Sequence, residues 1–464
     1  MSSVGPGDVL ELRVEDLAFG GRGLARLDGL VVFVDGAIPG QKVRAIVRKR
    51  RRQYAEATAL EVLERSPHEI EPLCPHFGSC GGCTLQNLAY EKQLEYKAKQ
   101  VRDLVERIGR LASPPLEPVL PSPSPFFYRN KMEFSFSDRP FPTPPQPGAL
   151  LALGLHRRGS FDEVVDLRTC FLHAPETADV LAIVRDFARA SGLPAYSNRR
   201  HEGFWRFLVL RRGVRTGQWM VNIVTTELRK ELLEQLVVPL RERLPGLRSV
   251  VNNVNTGKGG VAFGEREEVV WGETSIEEKL GSLVFAVSAN SFFQTNTEQA
   301  ERLYTKVLEL ADLSGGETVY DLYCGTGAIS IFLAPHAKAV LGVELVESAV
   351  EDAWKNCERN SVGNCQFVAS DVVRLFRDPQ ELLQRYGRPD VLVLDPPREG
   401  VHPRVLKRLP ALGARRIVYV SCNPATQARD LSALAGTYRV ERICPVDMFP
   451  HTAHIETVAL LVAR

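Results

Sequence analysis

Apolar and polar residues alternate with three different periods along the chain. Between residues 8 and 63 the runs are short and strand-like: Asp8-Val9-Leu10-Glu11-Leu12-Arg13-Val14, Leu30-Val31-Val32-Phe33-Val34 and Lys42-Val43-Arg44-Ala45-Ile46-Val47. Gly20-Gly21-Arg22-Gly23, Asp28-Gly29 and Pro39-Gly40 supply turns between them. Many short strands punctuated by glycine predict a small closed barrel. From Asn87 to Ile108, the spacing of Leu88, Leu94, Val101, Leu104, Val105 and Ile108 predicts a long helix that stops at Gly109. The proline-rich stretch 114–125 reads as a linker. Residues 126–290 mix strand-like runs and loops, with a proline-rich insertion at 140–148, and predict an α+β region.

Beyond residue 291 strands alternate with helix-length segments. The strands are Thr318-Val319-Tyr320-Asp321, Ala339 to Glu344, Cys365 to Val368, Val391 to Asp395 and Arg416 to Val420. This pattern predicts an α/β unit, a parallel sheet wrapped by helices. Arg439 to Ile443 and Thr457 to Val462 would form a final strand pair. The expected divisions are 1–64, 65–290 and 291–464, with the 87–109 helix packing on the last.

Composition narrows the class. The 464 residues are 44% hydrophobic and 25% charged, as in ordinary globular proteins. No apolar run approaches the ~18–20 residues of a membrane span. Met1-Ser2-Ser3-Val4-Gly5 lacks the basic-then-apolar profile of a signal peptide, so a cytoplasmic protein is expected. Nine cysteines, an odd number, argue against a disulfide framework and for metal ligands or nucleophiles. The net charge of +2 conceals two basic clusters. One holds Lys42, Arg44, Arg48, Lys49, Arg50, Arg51 and Arg52; the other holds Arg199, Arg200, His201, Arg206, Arg211 and Arg212. Localised basic charge on a near-neutral chain points to a polyanion, and RNA is the expected partner. Nothing demands a protein partner or more than a monomer.

Candidate chemistry concentrates in the last third. Asp321-Leu322-Tyr323-Cys324-Gly325-Thr326-Gly327 ends one strand and opens a helix, where glycines allow a tight turn against a ligand. Glu344 ends the next strand, placed to accept from both ribose hydroxyls of a nucleoside. Asp371, near the end of the third strand, meets the adenine end or caps the following helix. No P-loop lysine follows, and Ser330 replaces the third glycine of the dinucleotide pattern. Cys422 lies in Ser421-Cys422-Asn423-Pro424, between Asp395-Pro396-Pro397-Arg398 and His451-Thr452-Ala453-His454-Ile455-Glu456. The tetrad alone fits a buried thiol as well as a nucleophile. With carboxylates on both sides it suggests a thiolate working beside a proton acceptor. Free cysteine titrates near 8.5, so an electropositive field is expected at Cys422, from Arg398 unless that residue holds a phosphate.

Together, DLYCGTG, DPPREG, SCNP, FPHTAHIE and the NSFFQTN segment at 290–296 resemble the RNA uracil-5 methyltransferase family, nearly throughout the chain. The resemblance implies a class I S-adenosylmethionine methyltransferase domain of Rossmann-like fold, behind an OB-like TRAM barrel. It assigns Gln294, Tyr323, Glu344 and Asp395 to the cofactor, Cys422 to attack on uracil C6 and Glu456 to removal of the C5 proton. His451 and His454 shape the pocket or serve structure. Cys74, Cys80 and Cys83, in a C-x5-C-x2-C loop, together with Cys170 resemble the [4Fe-4S] ligands of the family's ribosomal RNA members. The expected substrate is therefore 23S ribosomal RNA, at position 1939 by the same resemblance. Transfer RNA, a dual-site ribosomal activity and a non-catalytic RNA-binding assembly factor are the alternatives.

Overall fold

A computed structural model describes residues 4–142 and 151–464. Much of the 140–148 insertion therefore lies outside the described residues. The N-terminal unit is a closed barrel of five strands: Val9–Ala18, Arg22–Leu27, Leu30–Asp35, Lys42–Arg50 and Tyr54–Glu64. Alternate residues such as Leu12, Val14, Val32, Val34, Val43 and Ala45 fill its interior, as the two-residue period of a strand requires. The sequence pattern missed two of these strands. Arg22–Leu27 begins inside the glycine turn, and Tyr54–Glu64 follows the basic strand Lys42–Arg50. Lys42 pairs with Glu11 at 2.9 Å and Arg44 with Glu61 at 2.8 Å, so that strand offers less free charge than its composition suggests.

The second unit is an eight-stranded sheet whose centre runs Leu247–Val254, Trp219–Thr225, Trp205–Arg212 and Lys131–Ser137. Helices Thr177–Ala190 and Val237–Arg243 contribute to its core. Two arginines of the second basic cluster turn inward. Arg206 and Arg211 are each 2% exposed. Arg206 donates to the carbonyls of Asn255, Gly257 and Gly259, and Arg211 to those of Ala289 and Ser291. A guanidinium that brackets loop carbonyls is spent on the fold, not on a polyanion.

The third unit is a seven-stranded sheet ordered Cys365–Ala369, Ala339–Glu344, Thr318–Leu322, Val391–Leu394, Arg416–Ser421, Glu456–Ala463, Tyr438–Val446. The first five are parallel, and Glu456–Ala463 inserts antiparallel beside Arg416–Ser421. Strand order reverses beside Thr318–Leu322, the switch point where such sheets bind ligands at their carboxyl ends. The expected linker is not slack: Leu116 bridges to Ile443 and Leu120 to Val446 along the sheet's edge strand. The predicted long helix spans Tyr90–Arg107. Its Val101 and Val105 share a buried cluster with Tyr419 and Leu431 of the third unit. Its buried face also contains Gln93, Lys97 and Gln100, while Ile108 is 40% exposed. No helix among the described residues is long and apolar enough to cross a membrane.

Candidate active site

One register places the two catalytic candidates together. Ser421 pairs with Thr457 in the antiparallel ladder. The next residue of the first strand is Cys422, and the residue before Thr457 is Glu456. Both leave the sheet at the same end, side by side. Leu394 pairs with Tyr419 on the other side, which brings Asp395 to that end as well. Cys422 then enters a rigid turn. Asn423 caps the Pro424–Leu434 helix by accepting from the Ala425 amide at 3.2 Å, and proline occupies its first turn. Asn423 Nδ2 and Thr426 Oγ1 both donate to the Arg398 carbonyl, at 3.0 and 3.1 Å. The cysteine turn and the Asp395–Arg398 loop are thus fastened to each other.

Gln294, Tyr323, Glu344, Asp371, Asp395, Cys422 and Glu456 all line one cleft. Its volume is about 1150 Å³, which leaves room for a nucleoside cofactor and an extruded nucleotide together. The glycine turn forms its floor. Gly327 adopts φ +78°, and a Cβ there would meet Phe367 and Ala353 at 3.0 Å. Glu344 accepts from the amides of Gly325, Leu345 and Val346 at 3.1, 2.7 and 2.9 Å, which fixes its carboxylate at the rim. Asp371 caps the Val372–Leu375 helix through the Val373 amide at 2.8 Å and also faces the cleft. Gln294 lines the cleft wall, and Thr295 Oγ1 beside it is buried without a hydrogen-bond partner among the described residues. Open polar atoms, a carboxylate rim and a glycine floor fit an adenosyl amino acid.

Electrostatics at the reacting end differ from expectation. Cys422 is pushed up to about 11, first by burial and then by the Glu456 and Asp395 charges; Arg398 pulls the other way without prevailing. Glu456, 5% exposed, is pushed up to about 8, by burial first and then by Asp395. Asp395 rises to about 7, through burial and the neighbouring Asp321. Asp321 is wholly buried, accepts from Ser330 Oγ at 2.6 Å and rises to about 6 through burial. Three carboxyls and a thiol in one low-dielectric pocket favour their neutral forms. The expected electropositive field is therefore outweighed at Cys422.

Arg129 was not singled out from sequence, yet it lines the cleft with Arg398 and stacks over Phe449 at 5.4 Å. It arrives from the second unit, and its motif, Tyr128-Arg129-Asn130-Lys131, carries no local signal of that approach. His451 is 2% exposed and stacks on Phe126 at 4.2 Å, a structural position; His454 faces the cleft.

Cys74, Cys80, Cys83 and Cys170 line a separate, narrow cavity of about 20 Å³ with Phe77, Leu155, Leu167 and Leu172. The Gly82 amide donates to Cys80 Sγ at 3.4 Å and Gln86 Nε2 to Cys83 Sγ at 3.2 Å. Burial pushes the Cys80 and Cys83 thiols up to about 12. Among the described residues, no three His, Cys, Asp or Glu side chains are grouped to hold a metal ion as they stand. Four thiols around one cavity, with N–H donors aimed at sulfur, nonetheless match the donor set of a thiolate-ligated cluster.

Comparison with known proteins agrees with this architecture. Residues 260–464 match the family model described as tRNA (Uracil-5-)-methyltransferase, and residues 4–60 match the TRAM domain. A protein of Chlorobaculum tepidum named an uncharacterized RNA methyltransferase is 45% identical, over 98% of this chain and 96% of its own. A similarly named protein of Halalkalibacterium halodurans is 40% identical, over 99% and 98%. The solved tRNA (uracil-54, C5)-methyltransferase of Pyrococcus abyssi, in complex with S-adenosyl-L-homocysteine, superposes with a TM-score of 0.77. It is 31% identical, over 97% of this chain and 99% of that one. The chain belongs to the RNA uracil-5 methyltransferase family, as a TRAM-bearing, S-adenosylmethionine-dependent enzyme.

Proposed function

We propose that the enzyme methylates C5 of a uridine in structured RNA through a covalent bond between Cys422 and uracil C6. The supporting observation is the Ser421–Thr457 pairing, which delivers Cys422 and Glu456 to one end of the sheet beside Asp395. Uracil C5 is a weak nucleophile. Addition of the Cys422 thiolate to C6 moves the ring's electron pair onto C5 and the adjoining carbonyl as an enolate. C5 takes the methyl group from the sulfonium, which leaves as neutral S-adenosylhomocysteine. Glu456 accepts the C5 proton, the C5–C6 double bond reforms, and the thiolate departs. Gln294, Tyr323, Glu344, Asp371 and Asp395 hold the cofactor in this reading. Cys422→Ala should abolish methyl transfer from labelled cofactor to transcript, and Glu456→Gln should trap a protein–RNA adduct that survives denaturation. Full turnover by either variant refutes the mechanism.

We assign the substrate to 23S ribosomal RNA, at position 1939, on the combination of a TRAM barrel with the four-cysteine loop. A second reading, transfer RNA, is favoured by the Pyrococcus abyssi enzyme, whose full length matches this chain, TRAM region included. Parallel assays on 23S fragments and tRNA transcripts separate the two. Cys74, Cys80, Cys83 and Cys170 would hold the [4Fe-4S] cluster. Methyl transfer needs no electron, so its contribution would be to cross-link the loop to the second unit. Anaerobically purified protein should show the broad visible shoulder of such a cluster; colourless, zinc-containing protein overturns the assignment.

A further inference from the structure

A helix normally buries an apolar stripe, but Tyr90–Arg107 buries Gln93 at 0% and Lys97 at 1% exposure. Lys97 Nζ donates to Asp447 Oδ1 at 2.6 Å and to the Phe449 carbonyl at 3.2 Å. Asp447 is 0% exposed, and Tyr90 donates its hydroxyl proton to the other carboxylate oxygen at 2.8 Å. One helical turn away, Gln93 Oε1 accepts from the His451 amide at 3.0 Å, and its Nε2 lies 3.1 Å from His451 Nδ1.

These contacts fall on the connection between the last two strands, the segment that ends at Glu456. Each carbonyl from 448 to 451 is held by a different group. Met448 accepts from Asn296 at 3.1 Å, Phe449 from Lys97 and Pro450 from Tyr128 at 3.1 Å. His451 accepts from the Thr84 and Leu85 amides at 2.9 and 3.0 Å. A buried ion pair is poor value as a source of stability, because desolvation offsets most of its attraction. What Lys97 supplies that an apolar residue could not is a fixed hydrogen-bond geometry, joining a carboxylate and a loop carbonyl at once.

We propose that Lys97, paired with Asp447, is a positioning residue for proton abstraction, setting where Glu456 enters the cleft. The inference rests on the reading of Glu456 as the base. The test is the full-length Lys97→Met/Asp447→Asn double variant, which leaves no uncompensated buried charge, assayed with RNA transcript and labelled S-adenosylmethionine. Turnover should fall about a hundredfold, the scale of a ~1 Å misplacement. The KM for RNA and the affinity for S-adenosylhomocysteine should stay within about threefold, and a denaturation-resistant protein–RNA adduct should accumulate. A purely structural pair would lower turnover and adduct together, or move the binding constants, and either result overturns the proposal. So does turnover within threefold of the parent. If the double variant does not fold, Tyr90→Phe, which removes only one hydrogen bond to Asp447, should show the same adduct accumulation to a smaller degree; unchanged adduct overturns the proposal. Glu456→Gln runs alongside. Failure of that variant to trap adduct refutes the base assignment itself, whereas trapping there and none in the double variant refutes only the role of Lys97.

Discussion

Replacing Glu456 by glutamine should stabilise the folded protein while stopping turnover. Burial and the Asp395 charge raise this carboxyl from 4.5 in the unfolded chain to about 8 in the fold. The sign follows from proton linkage. Between those two values the unfolded chain loses the proton and the folded chain keeps it, so stability declines as pH rises from about 4.5 to about 8. At pH 7 the interval above the unfolded value is about 2.5 units, and at ~1.36 kcal/mol per unit the penalty is about 3 kcal/mol. Glutamine has a similar shape and cannot ionise, so it removes the penalty. The expected gain is about 6–12 °C in melting temperature at pH 7, for about 2–4 °C per kcal/mol in a unit of this size. The gain should shrink to about 0.7 kcal/mol at pH 5, about half a unit above the unfolded value, and vanish only below about pH 4, where both states carry the proton. Thermal melts of the parent and of Glu456→Gln at pH 5 and pH 7.5 would measure it. A variant no more stable than the parent at pH 7.5, or stabilised equally at both values, would refute the reading of Glu456 as a neutral, strained carboxyl.

Three further outcomes follow from the same pocket. Cys422 at about 11 and Glu456 at about 8 must both lose protons to act, so the single-turnover methylation rate should climb between pH 6.5 and pH 9; a flat profile would contradict the charge arrangement. Gly327→Ala places a Cβ at φ +78°, 3.0 Å from Phe367, and a left-handed alanine costs roughly 1–2 kcal/mol. S-adenosylhomocysteine affinity by calorimetry should fall about tenfold or more, and unchanged affinity would show that the turn is not the cofactor floor. The sulfonium of S-adenosylmethionine should draw protons off Asp395 and Glu456 because an opposite charge favours ionised carboxyls. Its binding heat should therefore vary with buffer ionisation enthalpy at pH 7, while that of neutral S-adenosylhomocysteine should vary much less; equal dependence would separate the cofactor from these carboxyls.

The carboxyls of the site are raised for a reason that also explains what could be read from sequence. Strand Ala339–Glu344 was legible to the residue, because a parallel strand buried on both faces is a continuous apolar run with its functional acid at the end. Asp395 and Cys422 follow the ends of such parallel strands, and Glu456 opens an antiparallel one, so their places at strand ends were legible. Their protonation was not, because it depends on three carboxyls converging from positions 321, 395 and 456, and no local pattern encodes that convergence. The same limit applies to the Tyr90–Arg107 helix. Apolar spacing predicted Leu94 and Ile108 inside, whereas Gln93 and Lys97 are buried by partners more than three hundred residues away, at Asp447 and His451. It applies again to Arg206 and Arg211, whose charges read as surface until loop carbonyls enclosed them. Local periodicity reveals what water excludes. The polar groups that long-range hydrogen bonds draw into the interior escape it, and here they include Gln93, Lys97 and Asp447.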